Sequence, residues 1–389
     1  MKIRKKPHHW LGYGRVCGLA LALAGSSLLT GCFSSSSGSN KSAAVDTQLF
    51  PADGKLEANI RRTTGGVPHI TANNLKSAAF GHGYAQAQDN VCMLAEAIVQ
   101  ARSERAKYFG PGPGDINIIN DFSYKAQEIL SGAKAEYPQL RPESKALIDG
   151  FAAGYNKYVK ETAPEDLPVE CREQPWVKPI QPTDLLAHYR IIGQYASGSE
   201  FATGLVFLAV PPGESPAPIT QIAQADNAAT ERVKSLAVAD SARAHVKGID
   251  NFADTGLASN AWGIGSDMTE SGKGALLANP HFPYTGHRRL YQAHIKVPGY
   301  LNINGAGLTG TPIPLINFNE HLAWSHTVST SRRFTWYELE LKPGDPLTYI
   351  KDGVEKPITS KTFEIELNVG APQPVVLKRT FWFSEYGPM

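Results

Sequence analysis

The property that most constrains this chain is a change of hydrophobic period part-way along it. Between about residue 75 and 200 the apolar positions step by three and four. Phe80, Tyr84, Ala87, Val91, Leu94 and Ile98 fall on one face of a long helix. Leu147, Phe151, Tyr155 and Tyr158 repeat that spacing, and residues 184–195 predict a further helix. From Asn260 onward the period becomes two. Residues 290–297, 336–341 and 362–369 alternate as half-buried strands do, and short apolar runs at 275–278, 314–318 and 374–377 predict more strands. Between the two regimes, residues 211–218 are proline-rich and read as loop, while 225–255 are polar and alanine-rich with no strong core stripe. Helices first and strands afterwards predict an α+β chain, not alternating βαβ units, with the changeover near Ser259.

The first forty residues obey neither regime. Lys2, Arg4, Lys5, Lys6 and Arg15 precede an apolar run at 16–23, which is too short and too interrupted by Gly and Ser for a spanning helix. The segment ends in Leu29-Thr30-Gly31-Cys32, which resembles a bacterial lipobox. Residues 1–31 then read as a lipoprotein signal peptide, with Cys32 as the lipidated residue and 32–55 as a Ser-rich tether. Ordinary cleavage after Ala22-Leu23-Ala24 is the alternative, and it would leave a soluble periplasmic protein. Both place the protein in a bacterial cell envelope. Phe33 after the cysteine resembles the sorting pattern of an outer-membrane lipoprotein facing the periplasm.

Composition then excludes some functions. Of 389 residues, 42% are hydrophobic and 19% charged, an ordinary globular balance with ample material for a core. The formal charge of +2 comes from the signal; without it 33 basic residues face 36 acidic ones, which argues against nucleic acid as partner. Cys17 lies in the signal and Cys32 at the anchor. In an oxidising compartment Cys92 and Cys171 most simply pair, closing a long loop; two separate buried thiols are the alternative.

Four familiar motifs carry little here. Gly305-Ala-Gly-Leu-Thr-Gly310 matches a dinucleotide fingerprint, but Pro312 and Pro314 oppose the helix that would hold a pyrophosphate, so a glycine-rich strand connection is the better account. Ser131-Gly-Ala-Lys134 lacks the companion motifs of a serine β-lactamase and reads as a solvated helix face. No G-x-S-x-G elbow or H-E-x-x-H zinc motif occurs. The histidines at 281, 287, 294, 321 and 326 have no carboxylate at ligand spacing, so packing or hydrogen bonding is expected for most of them, with no metal and no cofactor.

Ser259-Asn-Ala-Trp-Gly-Ile-Gly265, at the changeover, resembles the start of the second chain in the penicillin acylase family of N-terminal nucleophile hydrolases. Arg61-Arg-Thr-Thr-Gly-Gly-Val-Pro-His-Ile70 is similar to that family's early strand, and Gly81-His-Gly-Tyr-Ala-Gln-Ala-Gln-Asp89 to the helix after it. Gly272-Lys-Gly-Ala-Leu-Leu-Ala-Asn-Pro-His-Phe282 and His321-Leu-Ala-Trp-Ser-His-Thr-Val328 continue the likeness in order. The Asn-Pro-His-Phe form is closer to the acyl-homoserine lactone acylase branch than to the penicillin G branch.

The resemblance implies a four-layer αββα sandwich shared by two chains cut from one precursor. Residues 56–230 would form a helical first chain, 231–258 an excised spacer, and 259–389 the opening part of a strand-rich second chain. A peptide nitrogen has no basicity, so Ser259 is inert as an N-terminal nucleophile until the Ala258–Ser259 bond is cut. Cutting frees an amine with a pKa of about 7.7–8.0, able to serve as base for its own hydroxyl. By resemblance the Val328 N–H is one oxyanion donor, His281 lies beside the new amine, and Phe282 and Leu308 contact the acyl chain. For both of these, an ordinary core position would equally suit the residue type.

The expected activity is hydrolysis of small N-acyl amides, with acyl-homoserine lactones favoured, by an α/β heterodimer. Penicillin or cephalosporin side-chain removal is one alternative, and non-catalytic binding of acyl ligands by an envelope lipoprotein is another. Two departures from the family qualify the expectation. Residues 329–334 lack the aspartates through which some members bind calcium, so no such site is expected. The family pattern also continues past Met389, so its second oxyanion donor, an asparagine, has no counterpart here, and residues 1–389 alone are expected to be inactive.

Overall fold

A computed structural model describes residues 46–389 except 198–201, 212–219, 223–237, 239–241, 243–257, 287, 329–332, 334 and 336. The expected signal, Cys32, most of the tether and nearly all of the spacer therefore lie outside the described residues. The described part combines helices with several sheets, an α+β chain.

A short hairpin comes first, β1 (Asn59–Arg62) and β2 (Pro68–Thr71), and β2 leads into the 27-residue helix α1 (Leu75–Ala101). Asn74 caps α1 by accepting the Ser77 N–H at 2.9 Å. The apolar face read from the sequence is the buried one: Ala87, Val91, Leu94 and Ile98 are all within the core. The helix kinks at Asn90, whose φ and ψ are −146° and 28°.

Four shorter helices follow: α2 (Arg105–Phe109), α3 (Ile116–Ala126), α4 (Ile129–Glu136) and α5 (Pro142–Glu161), the last opening on a proline that suits a first helical turn. Helices α6 (Pro182–Ser197) and α7 (Ala202–Leu208) complete the helical half. The α1–α5 contact is a backbone-to-backbone approach. A Cβ at Gly83 would strike the Phe151 carbonyl, and one at Gly154 the Phe80 carbonyl. Around it Val91, Leu94, Ile98, Phe151, Tyr155, Leu185 and Ile191 form the main helical core. Cys92 and Cys171 are bonded across this region, with Cα atoms 5.4 Å apart.

The strands of the second half form separate sheets. The hairpin β4 (Ala258–Ile264) and β5 (Ala275–His281) stands as a two-stranded sheet, after the short strand β3 (Thr220–Ile222). Strands β6 (Leu290–Val297), β7 (Leu301–Leu308), β8 (Ile316–Phe318) and β9 (Ala323–Trp324) join the first hairpin in one six-stranded sheet, ordered β1-β2-β6-β7-β8-β9. Its central joint is the parallel pair β2–β6, with Ile70 opposite Ile295. Ile70, Ile295, Val297 and Ile303 pack there against Ala78 and Ala85 of α1. Of the described residues in the run read as a strand at 336–341, only Glu340 and Leu341 are in one, β10 (Glu340–Lys342). Alternation alone did not locate its start, and Tyr337 is exposed and stacked on Tyr386 at 4.0 Å.

Strands β11 (Asp345–Lys351) and β12 (Val354–Pro357) pair with β10, and β13 (Thr359–Leu367) pairs along its length with β14 (Val375–Ser384). Strand β14 also takes β3 and β15 (Gly387–Pro388). Ile365, Leu377 and Phe381 of this sheet meet Ile119, Phe122 and Phe207 of the helical half, and Val238 and Ala242 of the expected spacer are buried in the same core.

Candidate functional site

Ser259 is the second residue of β4, in antiparallel register with Pro280, while Ala258 stands opposite His281. The register follows from two matched seven-residue strands, and it sets the residues flanking the 258–259 peptide against the end of β5. Ser259 is half-buried, and its hydroxyl donates to the carbonyl oxygen of Ala258. The Oγ therefore already lies against the carbonyl group of the bond expected to be cut. His281 is exposed, and Phe282 follows it half-buried.

The structure thus brings Ala258, Ser259, His281 and Phe282 together at one end of one hairpin. Val328 lies in the extended segment after β9, 38% exposed, and β9 runs near β5. Leu308 ends β7 in a different sheet, half-buried and paired with Leu290. Trp262 and Leu277 of the hairpin, with Leu322 and Trp324 around β9, are more than half exposed.

The remaining histidines separate by role. His294 accepts at Nδ1 or donates to His69 Nδ1 at 2.9 Å and reaches Asn302 Oδ1 through Nε2 at 2.8 Å. Because Oδ1 only accepts, Nε2 of His294 donates to it. Burial, His294 and Arg61 all lower the His69 pKa. His321 and His326 are exposed, and His287 lies outside the described residues, as does most of 329–334.

Sequence reasoning missed one buried polar cluster. His82 and Gln86 project from α1 onto the loop after β7. His82 Nδ1 lies 3.0 Å from the Pro312 carbonyl, and Gln86 Nε2 donates to the Thr311 carbonyl at 3.1 Å. Gln86 Oε1 accepts the Gly310 N–H at 2.8 Å, and its second amide N–H meets His82 Nε2 at 2.9 Å. A carbonyl accepts only, so Nδ1 holds the imidazole proton and Nε2 must accept. Burial pushes the His82 pKa down to about 4, against the opposing pull of the Pro312 carbonyl. Both residues stand in the Gly81–Asp89 stretch singled out earlier, where helical spacing (i, i+4) put two polar groups on a buried face; that was the available signal.

A family model described as penicillin amidase matches residues 57–389. The chain is 37% identical over 349 residues to the acyl-homoserine lactone acylase PvdQ of Pseudomonas fluorescens, covering 89% of this chain and 42% of that protein. It is 37% identical over 345 residues to the aculeacin-A acylase of Actinoplanes utahensis, covering 87% and 41%. The chain therefore spans about two fifths of the length of these relatives. A thermostable penicillin G acylase from Alcaligenes faecalis superposes with a TM-score of 0.32 at 22% identity over 43% of this chain and 98% of that one, too loosely for details to be compared. On the extent of the family match, this chain belongs to the penicillin amidase family.

Proposed function

We propose that the full-length protein is an N-terminal serine hydrolase of N-acyl amides, with acyl-homoserine lactones as its substrate class, matured by cleavage between Ala258 and Ser259. The observation that carries the reading is the Ser259 hydroxyl seated on the Ala258 carbonyl at the strand end opposite His281. Family membership and the names of the relatives support the amide chemistry and the choice of acyl group.

Maturation would proceed within one dipeptide. Oγ bonds to the Ala258 carbonyl carbon, the C–N bond breaks, and the hydroxyl proton ends on the Ser259 nitrogen. Water then hydrolyses the resulting ester, leaving a carboxylate on Ala258 and a free amine and hydroxyl on Ser259. In turnover the amine takes the hydroxyl proton as Oγ attacks the substrate amide. The backbone N–H of Val328 stabilises the oxyanion, the leaving amine accepts the proton, and water releases the acid from the acyl-enzyme. Phe282 and Leu308 contact the acyl chain, and the strands of both halves contribute to a four-layer αββα sandwich in an α/β heterodimer. We place this heterodimer in the cell envelope, anchored through lipid on Cys32.

In the full-length protein, N-terminal sequencing of the smaller-numbered and larger-numbered pieces tests the reading. Wild type yields a chain beginning at Ser259 and releases homoserine lactone from acyl lactones. Ser259→Ala stays uncut and inactive. An uncut wild type with full activity, or release of the penicillin nucleus alone, would overturn it. Loss of incorporated fatty acid in Cys32→Ser tests the anchor.

A further inference from the structure

The loop at residues 309–312 is held far more firmly than a connection between two strands requires. Its four consecutive carbonyls are each bound by a different side chain of the helical half. His188 Nε2 donates to the Thr309 carbonyl at 3.3 Å, and the Tyr189 hydroxyl to that of Gly310 at 2.9 Å. Gln86 takes Thr311 and His82 takes Pro312. The loop's Gly310 N–H is held as well, by Gln86 Oε1. Gln86 and His82 are also joined to each other, so the amide uses both its N–H groups as well as its oxygen.

The loop also folds back on the end of β7. The Thr311 N–H and hydroxyl both donate to the Leu308 carbonyl, at 2.9 and 2.7 Å. Gly310 has a φ of +91°, and a Cβ there would press on His188, so neither conformation nor space admits another residue. Side chains from two helices thus fix the backbone that immediately follows Leu308.

We propose that Gln86 and His82 are positioning residues that lock the 309–312 loop, and Leu308 with it, as a rigid wall of the acyl pocket, and so set acyl-length preference. The inference rests on the reading of Leu308 as an acyl contact given above. A wall held by buried hydrogen bonds cannot retreat from a longer chain or close on a shorter one. Discrimination by apolar pockets is about 10-fold or more per methylene when the walls hold, and softening the wall erodes it.

The test uses the full-length protein and two variants. Gln86→Glu keeps the shape and the acceptor for Gly310 but removes the donors to the Thr311 carbonyl and to His82 Nε2. Tyr189→Phe removes one hydroxyl and tests the same loop should the first variant fail to fold. The readouts are kcat/KM for hexanoyl, octanoyl and dodecanoyl homoserine lactone, and hydrogen exchange at Thr311, whose N–H is bonded to the Leu308 carbonyl within the loop. We expect faster exchange in Gln86→Glu and, in both variants, a change of about 10-fold in the ratio of kcat/KM between the shortest and longest substrates, carried mainly by KM. A uniform loss on all three substrates, or an unchanged ratio with faster exchange, would show a merely structural clamp and overturn the inference. If wild type turns over none of the three, the substrate class itself falls and this inference with it; if wild type is active and the ratio holds, only the inference falls.

Discussion

A single proton on His82 has consequences for the stability of the whole chain. The imidazole is buried, its Nε2 is committed to accepting from Gln86, and its pKa is held at about 4 against an ordinary 6.5. The native state therefore refuses a proton that the unfolded state accepts. The contribution to stability is fully present above pH 6.5 and drains away as pH falls from 6.5 towards 4. Its full size is on the order of 3 kcal/mol. Burial raises the Asp121 pKa to about 7, which tilts stability the opposite way over the same range. The His82 signal is therefore a difference: the stability gap between wild type and His82→Asn in urea unfolding should widen as pH rises from about 4.5 to 7.5. An equal slope in the variant would assign the pH dependence to other groups. Helical spacing put His82 on a buried face beside Gln86, but nothing in the sequence named its partner. A histidine in a helix gives no sign of which backbone carbonyl it will meet 230 residues later.

Helices and strands were far easier to read than contacts between them. The period of four and three placed α1 and α5, the helix read at 184–195 is α6, and β6 is legible residue for residue from its alternation. Strand β3 was not, because a three-residue segment is too short to show a period and its pairing with β14 is entirely non-local. The Gly305–Gly310 run was read as a connection, whereas β7 continues through Gly305 and Gly307 before the turn; glycine weakens the strand signal without forbidding the strand. Glycine also governs the α1–α5 contact. Gly154→Ala should cost about 3 kcal/mol by forcing two helices apart, and its urea midpoint should fall accordingly. The bond between Cys92 and Cys171 ties α1 to a segment 79 residues away. On the loop-entropy account, replacing both by alanine should destabilise the protein by about 4 kcal/mol, measured by the same unfolding curves.

At the level of the whole molecule, the two halves are interleaved and not merely adjacent. The first-half hairpin lies in the same sheet as β6 to β9, and Arg62 of β1 binds Asp89 at 2.9 Å, which in turn accepts the Tyr291 hydroxyl at 2.7 Å. A protein cut at Ala258–Ser259 should consequently run as one species on size exclusion in native buffer, its pieces parting only in denaturant near the unfolding midpoint. Pieces that separate in native buffer would contradict the shared sheet. This interleaving was only half legible beforehand. The ordered likeness across residues 58–389 implied two chains around one core, but no local pattern could say that β2 and β6 are the strands that join them.

That joint also dictates a timetable. His69 and Ile70 emerge from the ribosome some 225 residues before the strand that flanks them, and a parallel pair cannot be closed by a turn. Throughout that interval the β2 edge offers unpaired amides and carbonyls beside an apolar side chain, an invitation to mispairing. The sheet is complete only after Trp324 of β9 has been made. Contacts of such long sequence separation make for slow folding, so the exposed edge of β2 has a long time in which to mispair before its partner strand arrives.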